Sequence, residues 1–153
     1  SYLPRHTAMS RDGKRLYVTC IRQSLLQVID LRRRRVIKTV HVDRGPRTLA
    51  LSADERFAYV AAYAGHALTV VDLRTWKKRR IPLDIIKGSG VAVRPDDRFI
   101  YVTGWCTKDL WVIERLKPGQ SPTAGGRPPK RRRRPVRDPR HAHRLDCPRP
   151  GKR

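Results

Sequence analysis

Ser10-Arg11-Asp12-Gly13-Lys14-Arg15-Leu16-Tyr17-Val18-Thr19 returns further along as Ser52-Ala53-Asp54-Glu55-Arg56-Phe57-Ala58-Tyr59-Val60-Ala61. An equal step onward it becomes Arg94-Pro95-Asp96-Asp97-Arg98-Phe99-Ile100-Tyr101-Val102-Thr103. The same step carries Pro4-Arg5 onto Pro46-Arg47, and Leu26-Gln27-Val28-Ile29-Asp30 onto Leu68-Thr69-Val70-Val71-Asp72 and Leu110-Trp111-Val112-Ile113-Glu114. No gap is needed between residues 4 and 115, and Ala8/Ala50/Ala92, Asp12/Asp54/Asp96 and Tyr17/Tyr59/Tyr101 all keep register. Self-similarity at a fixed period of this size marks a repeat architecture, in which each copy buries its apolar faces only against its neighbours.

Each copy reads as four short strands. In the second they are expected at Thr48 to Ser52, Phe57 to Tyr63, Ala67 to Leu73 and Lys78 to Leu83, rich in β-branched and aromatic residues. Asp-Gly, Asp-Glu or Asp-Asp supplies the turn between the first two strands, where an Asp side chain bonds its own backbone. Asp12, Asp54 and Asp96 are therefore read as turn residues, and Asp30, Asp72 and Glu114 likewise. Four antiparallel strands recurring at this period are the signature of a β-propeller blade. The fold class is all-β: an incomplete β-propeller of four-stranded antiparallel blades at about 4–43, 46–84 and 88–115, within a unit spanning 1–116.

Ser-x-Asp-Gly-x-x-x-Tyr-Val-Thr at Ser10 to Thr19, followed by Val28-Ile29-Asp30, resembles the YVTN β-propeller family. The resemblance implies a mostly seven-bladed closed propeller, or roughly 290 residues at this repeat length. It also implies a periplasmic or extracellular setting, which nothing else in the sequence addresses. The third copy stops after Glu114 with no fourth strand, so the stretch is expected to be a fragment, a remnant or part of a larger assembly, with open blade faces available for self-association.

The chain has 153 residues and a net charge of +23. Thirteen of the 36 Lys and Arg residues, but only two of the 13 Asp and Glu residues, lie in residues 117–153. That stretch is rich in Arg, Pro and Gly and is expected to be disordered. Two readings of it stand side by side: a basic arm carrying Lys130-Arg131-Arg132-Arg133-Arg134, or GC-rich coding sequence read out of frame. No apolar run approaches the roughly 18 residues a membrane span needs.

Loops entering the inner strands and loops joining strands two and three are expected at one mouth of the channel. They place Arg5, His6, Arg47, Tyr63, His66, Lys87, Trp105 and Lys108 on a candidate ligand-binding rim for a protein or small molecule. Arginines there suit an anion; the competing reading has them capping loop carbonyls. His6, His41 and His66 lack metal-ligand spacing, and His141 and His143 lie in the tail near Cys147. No metal or cofactor is expected. Cys20, Cys106 and Cys147 give no disulfide framework or paired zinc motif, and Cys20 and Cys106, in corresponding loops two blades apart, are read as free thiols.

Arg32-Arg33-Arg34-Arg35 and Lys77-Lys78-Arg79-Arg80 fall near the third-to-fourth strand turns of copies one and two, a candidate polyanion surface. Edge-strand charge that opposes aggregation is the simpler alternative. The reading leans away from an enzyme and toward a non-catalytic binding scaffold. A fragment of a propeller hydrolase or lactonase is the alternative, and a polyanion binder the weaker one.

Overall fold

The computed structural model describes residues 3–85 and 87–115. The expectations for residues 117–153 lie outside them. Among the described residues eleven strands form three antiparallel sheets, each a meander in chain order. Blade 1 is β1 (Pro4–Met9), β2 (Arg15–Cys20), β3 (Leu25–Asp30) and β4 (Arg35–His41). Blade 2 is β5 (Pro46–Leu51), β6 (Phe57–Ala62), β7 (Ala67–Asp72) and β8 (Lys78–Pro82). Blade 3 has three strands among the described residues, β9 (Gly88–Val93), β10 (Phe99–Gly104) and β11 (Leu110–Glu114). The inner strands begin earlier than the pattern suggests, because Pro4, Arg5, Pro46, Arg47 and Gly88-Ser89-Gly90 are strand residues and not entry loop.

The backbone repeats as faithfully as the sequence. Every positive φ among the described residues falls on one of four registers: Leu3/Gly45/Lys87, Gly13/Glu55/Asp97, Ser24/His66/Lys108 and Arg34/Trp76. A left-handed residue is disfavoured for a chain with a Cβ, so its recurrence at fixed loop positions identifies one blade geometry used three times. The Asp turns form as expected. The hydroxyls of Ser10 and Ser52 donate to Asp12 and Asp54 at 2.6 and 2.5 Å, and the N–H groups of Lys14, Arg56 and Arg98 donate to Asp12, Asp54 and Asp96 at 3.0 Å each.

Side-chain alternation decides which blade each residue packs against. Tyr17, Leu26 and Val28 of blade 1 meet Ala58, Val60 and Val71 of blade 2 in one cluster. One repeat on, Tyr59 and Leu68 of blade 2 meet Ile100 and Val102 of blade 3, with Ile113 packed alongside. The two interfaces are thus the same interface displaced by one repeat. The far face of blade 1 carries its own small cluster of Val18, Cys20 and Leu25.

A carboxylate clamp closes each interface at the end opposite the rim. Glu55 of blade 2 accepts the backbone N–H of Arg11 of blade 1, and Asp97 of blade 3 accepts those of Ala53 and Asp54 of blade 2 at 2.6 and 3.1 Å. Arg115 adds ion pairs to Asp54 and Asp97 at 3.5 and 3.7 Å and stacks on Phe57.

Candidate functional site

The rim is assembled by a backbone bond that also repeats. Ile21 N–H donates to Leu3 O, Tyr63 N–H to Gly45 O and Trp105 N–H to Lys87 O, at 3.2, 2.7 and 3.0 Å. Each bond ties the loop between a blade's second and third strands to the segment entering its inner strand. Aromatic residues occupy this register in blades 2 and 3 but not in blade 1, where Ile21 stands.

Around Tyr63 three of the expected rim residues come together. The Arg47 guanidinium lies 5.0 Å from the ring centroid and the Lys87 ammonium 5.8 Å from it. Arg47 comes from β5, Tyr63 from the following loop of the same blade, and Lys87 from the loop entering blade 3. Each cation–π contact is worth about 0.5–1 kcal/mol at an exposed site. Neither cation is paired with a carboxylate among the described residues. Trp105, held through its N–H to Lys87, is 53% exposed.

The other rim residues do not join this trio by any contact among the described residues. Arg5 is exposed on β1. His6 Nδ1 accepts the Leu49 N–H at 3.4 Å, so His6 covers the inner strand of the next blade. His66 is exposed and bonds the Ile85 carbonyl through Nδ1 at 2.6 Å, which makes Nδ1 the protonated nitrogen. Lys108 is a left-handed turn residue whose N–H donates to Gly104 O.

The two basic clusters sit at different heights. Arg32, Arg33 and Arg34 occupy the turn before β4 and Arg35 opens the strand, whereas Lys78, Arg79 and Arg80 lie within β8, with Lys77 before it. Arg33 pairs with Asp30 at 3.9 Å. Two members of the second cluster turn toward blade 1: Lys78 donates to His41 O at 2.7 Å, while Arg80 pairs with Asp43 at 2.7 Å and donates to Gly65 O at 2.6 Å. They line a cleft of about 300 Å³ with Val42, Asp43 and Thr69 between blades 1 and 2.

Sequence reasoning missed Asp43 and Gly65 as partners of Arg80. The available signal was Gly65, where a Cβ would strike the Asp43 carboxylate. Cys20 is a free thiol buried at the end of β2, and burial pushes its pKa up. Cys106 is disulfide-bonded, which corrects the expectation of a free thiol there.

Among the described residues no three His, Cys, Asp or Glu side chains gather as a metal-binding group. No helix among them is long and apolar enough to cross a membrane.

Residues 5–114 match the family model described as Cytochrome D1 heme domain, an eight-bladed propeller family rather than a seven-bladed one. The chain is similar to hydrazine synthase of Kuenenia stuttgartiensis at 27% identity and a TM-score of 0.69, covering 74% of this chain and 33% of that one. It is also similar to a putative 6-phosphogluconolactonase of Bacteroides uniformis, at 14% identity, TM-score 0.62, covering 77% of this chain and 38% of that one. A second such protein, from Bacteroides fragilis, matches at 19% identity, TM-score 0.63, covering 74% and 35%. These last two likenesses show the fold alone. The chain spans about a third of the length of the solved structures it matches. No curated protein matches it.

The family's name implies a heme, whose iron a histidine such as His6 or His66 would have to hold among the described residues. His6 Nδ1 is taken up by the Leu49 N–H at 3.4 Å, so this ring is engaged with the inner strand of the next blade. His66 holds on Nδ1 the backbone carbonyl that a ligating histidine uses as its second partner.

Proposed function

The chain belongs to the cytochrome D1 heme domain family, and from that membership we propose that it is a non-catalytic propeller module, an interaction scaffold that works by stacking its blades against further blades of the same repeat. Within that family its repeat is of the YVTN type, on the strength of Ser10 to Thr19 and Val28-Ile29-Asp30 recurring in phase. A periplasmic or extracellular setting is proposed on the same resemblance.

One comparison carries the reading. Leu26 and Val28 of blade 1, and Leu68 of blade 2, are 0% exposed beneath the next blade. Their counterparts in blade 3, Leu110 and Val112, are 51% and 48% exposed. Burying a side chain of this size contributes about 1.5–3 kcal/mol, so a face built for burial and left open favours association with a matching face. Blade repeats satisfy such faces with their neighbours.

Sedimentation velocity over a range of concentrations tests the proposal. Self-association is expected, and Leu110→Lys combined with Val112→Lys should abolish it while leaving the β-sheet circular dichroism unchanged, since both positions are already half-exposed. Identical sedimentation of wild type and variant at every concentration would defeat the scaffold reading. Metal-dependent lactone or ester hydrolysis by the chain would replace it with the enzyme reading.

A further inference from the structure

The Tyr63 trio has a feature that its structural role leaves unexplained. Arg47 and Lys87 reach one ring from two different blades, at 5.0 and 5.8 Å, so the two charges stand no farther apart than about 11 Å. That separation is close to the Debye length of about 8–10 Å at moderate salt, so their repulsion is only partly screened. The arginines that lie over phenylalanine rings also meet a carboxylate, Arg56 with Asp72 at 3.4 Å, Arg94 with Asp96 at 3.2 Å and Arg98 with Glu114 at 3.2 Å, whereas Lys38 over Trp76 has no ion pair among the described residues. Around Tyr63 no acid meets either cation among the described residues.

The trio is also held in place. Tyr63 is fixed through its N–H to Gly45 O, and the Lys87 backbone through its carbonyl to the Trp105 N–H. Lys87 itself adopts a left-handed φ of 56°. Such rigid placement lowers the ordering cost of binding. Arg5, at the register of Arg47 in blade 1, has Ile21 in place of the aromatic ring and no second cation, so the arrangement belongs to the junction of blades 2 and 3.

We infer that Arg47, Tyr63 and Lys87 form a binding site for a small organic carboxylate. The guanidinium fork suits the two carboxylate oxygens and the ammonium supplies a second charge. The exposed Trp105 indole on the neighbouring loop offers an apolar surface for the body of the acid. This site is separate from the open face of blade 3, so it stands or falls independently of the scaffold reading.

Isothermal titration calorimetry of the full chain with benzoate, acetate, inorganic phosphate and neutral benzamide tests it. Benzoate should bind saturably, with Kd rising as sodium chloride is added, and benzamide should bind at least tenfold more weakly. Arg47→Gln and Lys87→Gln should each weaken benzoate about tenfold or more, while Arg74→Gln, which removes one charge from an exposed turn elsewhere, leaves Kd within twofold. Phosphate binding as tight as benzoate would overturn the assignment to a carboxylate. Equal losses in the rim and control variants would assign the binding to net charge and overturn the site, as would the absence of wild-type binding at about 10 mM benzoate, well above the millimolar Kd of a weak contact. Circular dichroism of each variant identifies any that fails to fold, and Lys87→Met, which keeps the length of the half-buried stem, then repeats the test.

Discussion

At the residue scale, acidic side chains at β-turns do two different jobs in this molecule. Asp12, Asp54 and Asp96 bond within their own turns, whereas Glu55 and Asp97, at the register of Gly13, reach backward to the previous blade. Asp97→Asn removes the charge and one of two acceptor oxygens facing the N–H groups of Ala53 and Asp54. It should cost about 1–2 kcal/mol in urea unfolding, in line with charge-assisted bonds; an unchanged midpoint would mean the clamp does not hold the blades.

Acid titration reports the other set. The Ser10 hydroxyl holds the Asp12 carboxyl below its ordinary value, the Arg33 N–H does so for Asp30, and the Thr75 N–H for Asp72. Burial acts to raise Asp54, and the Ser52 hydroxyl, the Arg56 N–H and Arg115 together outweigh it, so it too is lowered. Folded values below unfolded ones give stability that is complete above the ordinary carboxylate pKa of about 3.9 and is lost as pH falls through the folded values. Unfolding free energy measured from pH 6 to pH 2 should therefore stay level to about pH 5 and decline below about pH 4. A decline beginning near neutrality would point to other groups.

The Asp turn residues are legible in the sequence because an Asx turn is local: Ser10, Asp12 and Lys14 contain the whole motif. The clamp is not, because the target of Asp97 lies 43 and 44 residues away and depends on how one sheet stacks on another. The Arg47 and Lys87 meeting at Tyr63 is half legible. All three residues belong to loops or strand ends that the repeat places on one rim, but only the stacking of blade 3 on blade 2 decides which of the eight rim candidates touch.

At the element scale, the strands follow the period-2 pattern and their ends follow the left-handed turns. The sequence pattern runs β6 from Phe57 to Tyr63, but the strand ends at Ala62, since Tyr63 leaves the sheet to bond Gly45. The pattern also clips the inner strands, because Pro and Gly at Pro46 and Gly88 look like loop residues, yet an inner strand can accept them at its first position. Gly88 is also sterically required, since a Cβ there would stand 2.7 Å from the Ala62 carbonyl oxygen. The repeat supplies its own control for backbone strain. Gly13 has φ 67° with open space where a Cβ would project, so Gly13→Ala isolates the left-handed penalty. It should lower stability by about 1 kcal/mol in thermal or urea unfolding. A neutral result would show that the turn relaxes.

At the scale of the whole molecule, one blade geometry is used three times and one interface twice. The basic character of the chain is distributed over that frame unevenly: Arg80 and Lys78 bind blade 2 to blade 1, while Arg32 to Arg35 and Arg79 remain on the outside. The match over residues 5–114 is to a family of eight-bladed propellers, and the similar solved structures are about three times as long as this chain. Leu26, Leu68 and Leu110 share one register, with exposures of 0%, 0% and 51%. Unfolding free energies of the three Leu→Ala variants, measured at a concentration where the chain sediments as a monomer, give the most direct comparison. Leu26→Ala and Leu68→Ala should each cost about 2–5 kcal/mol, and Leu110→Ala less than about 1 kcal/mol. Equal losses at all three positions would contradict a stack of repeated blades that ends in an open face.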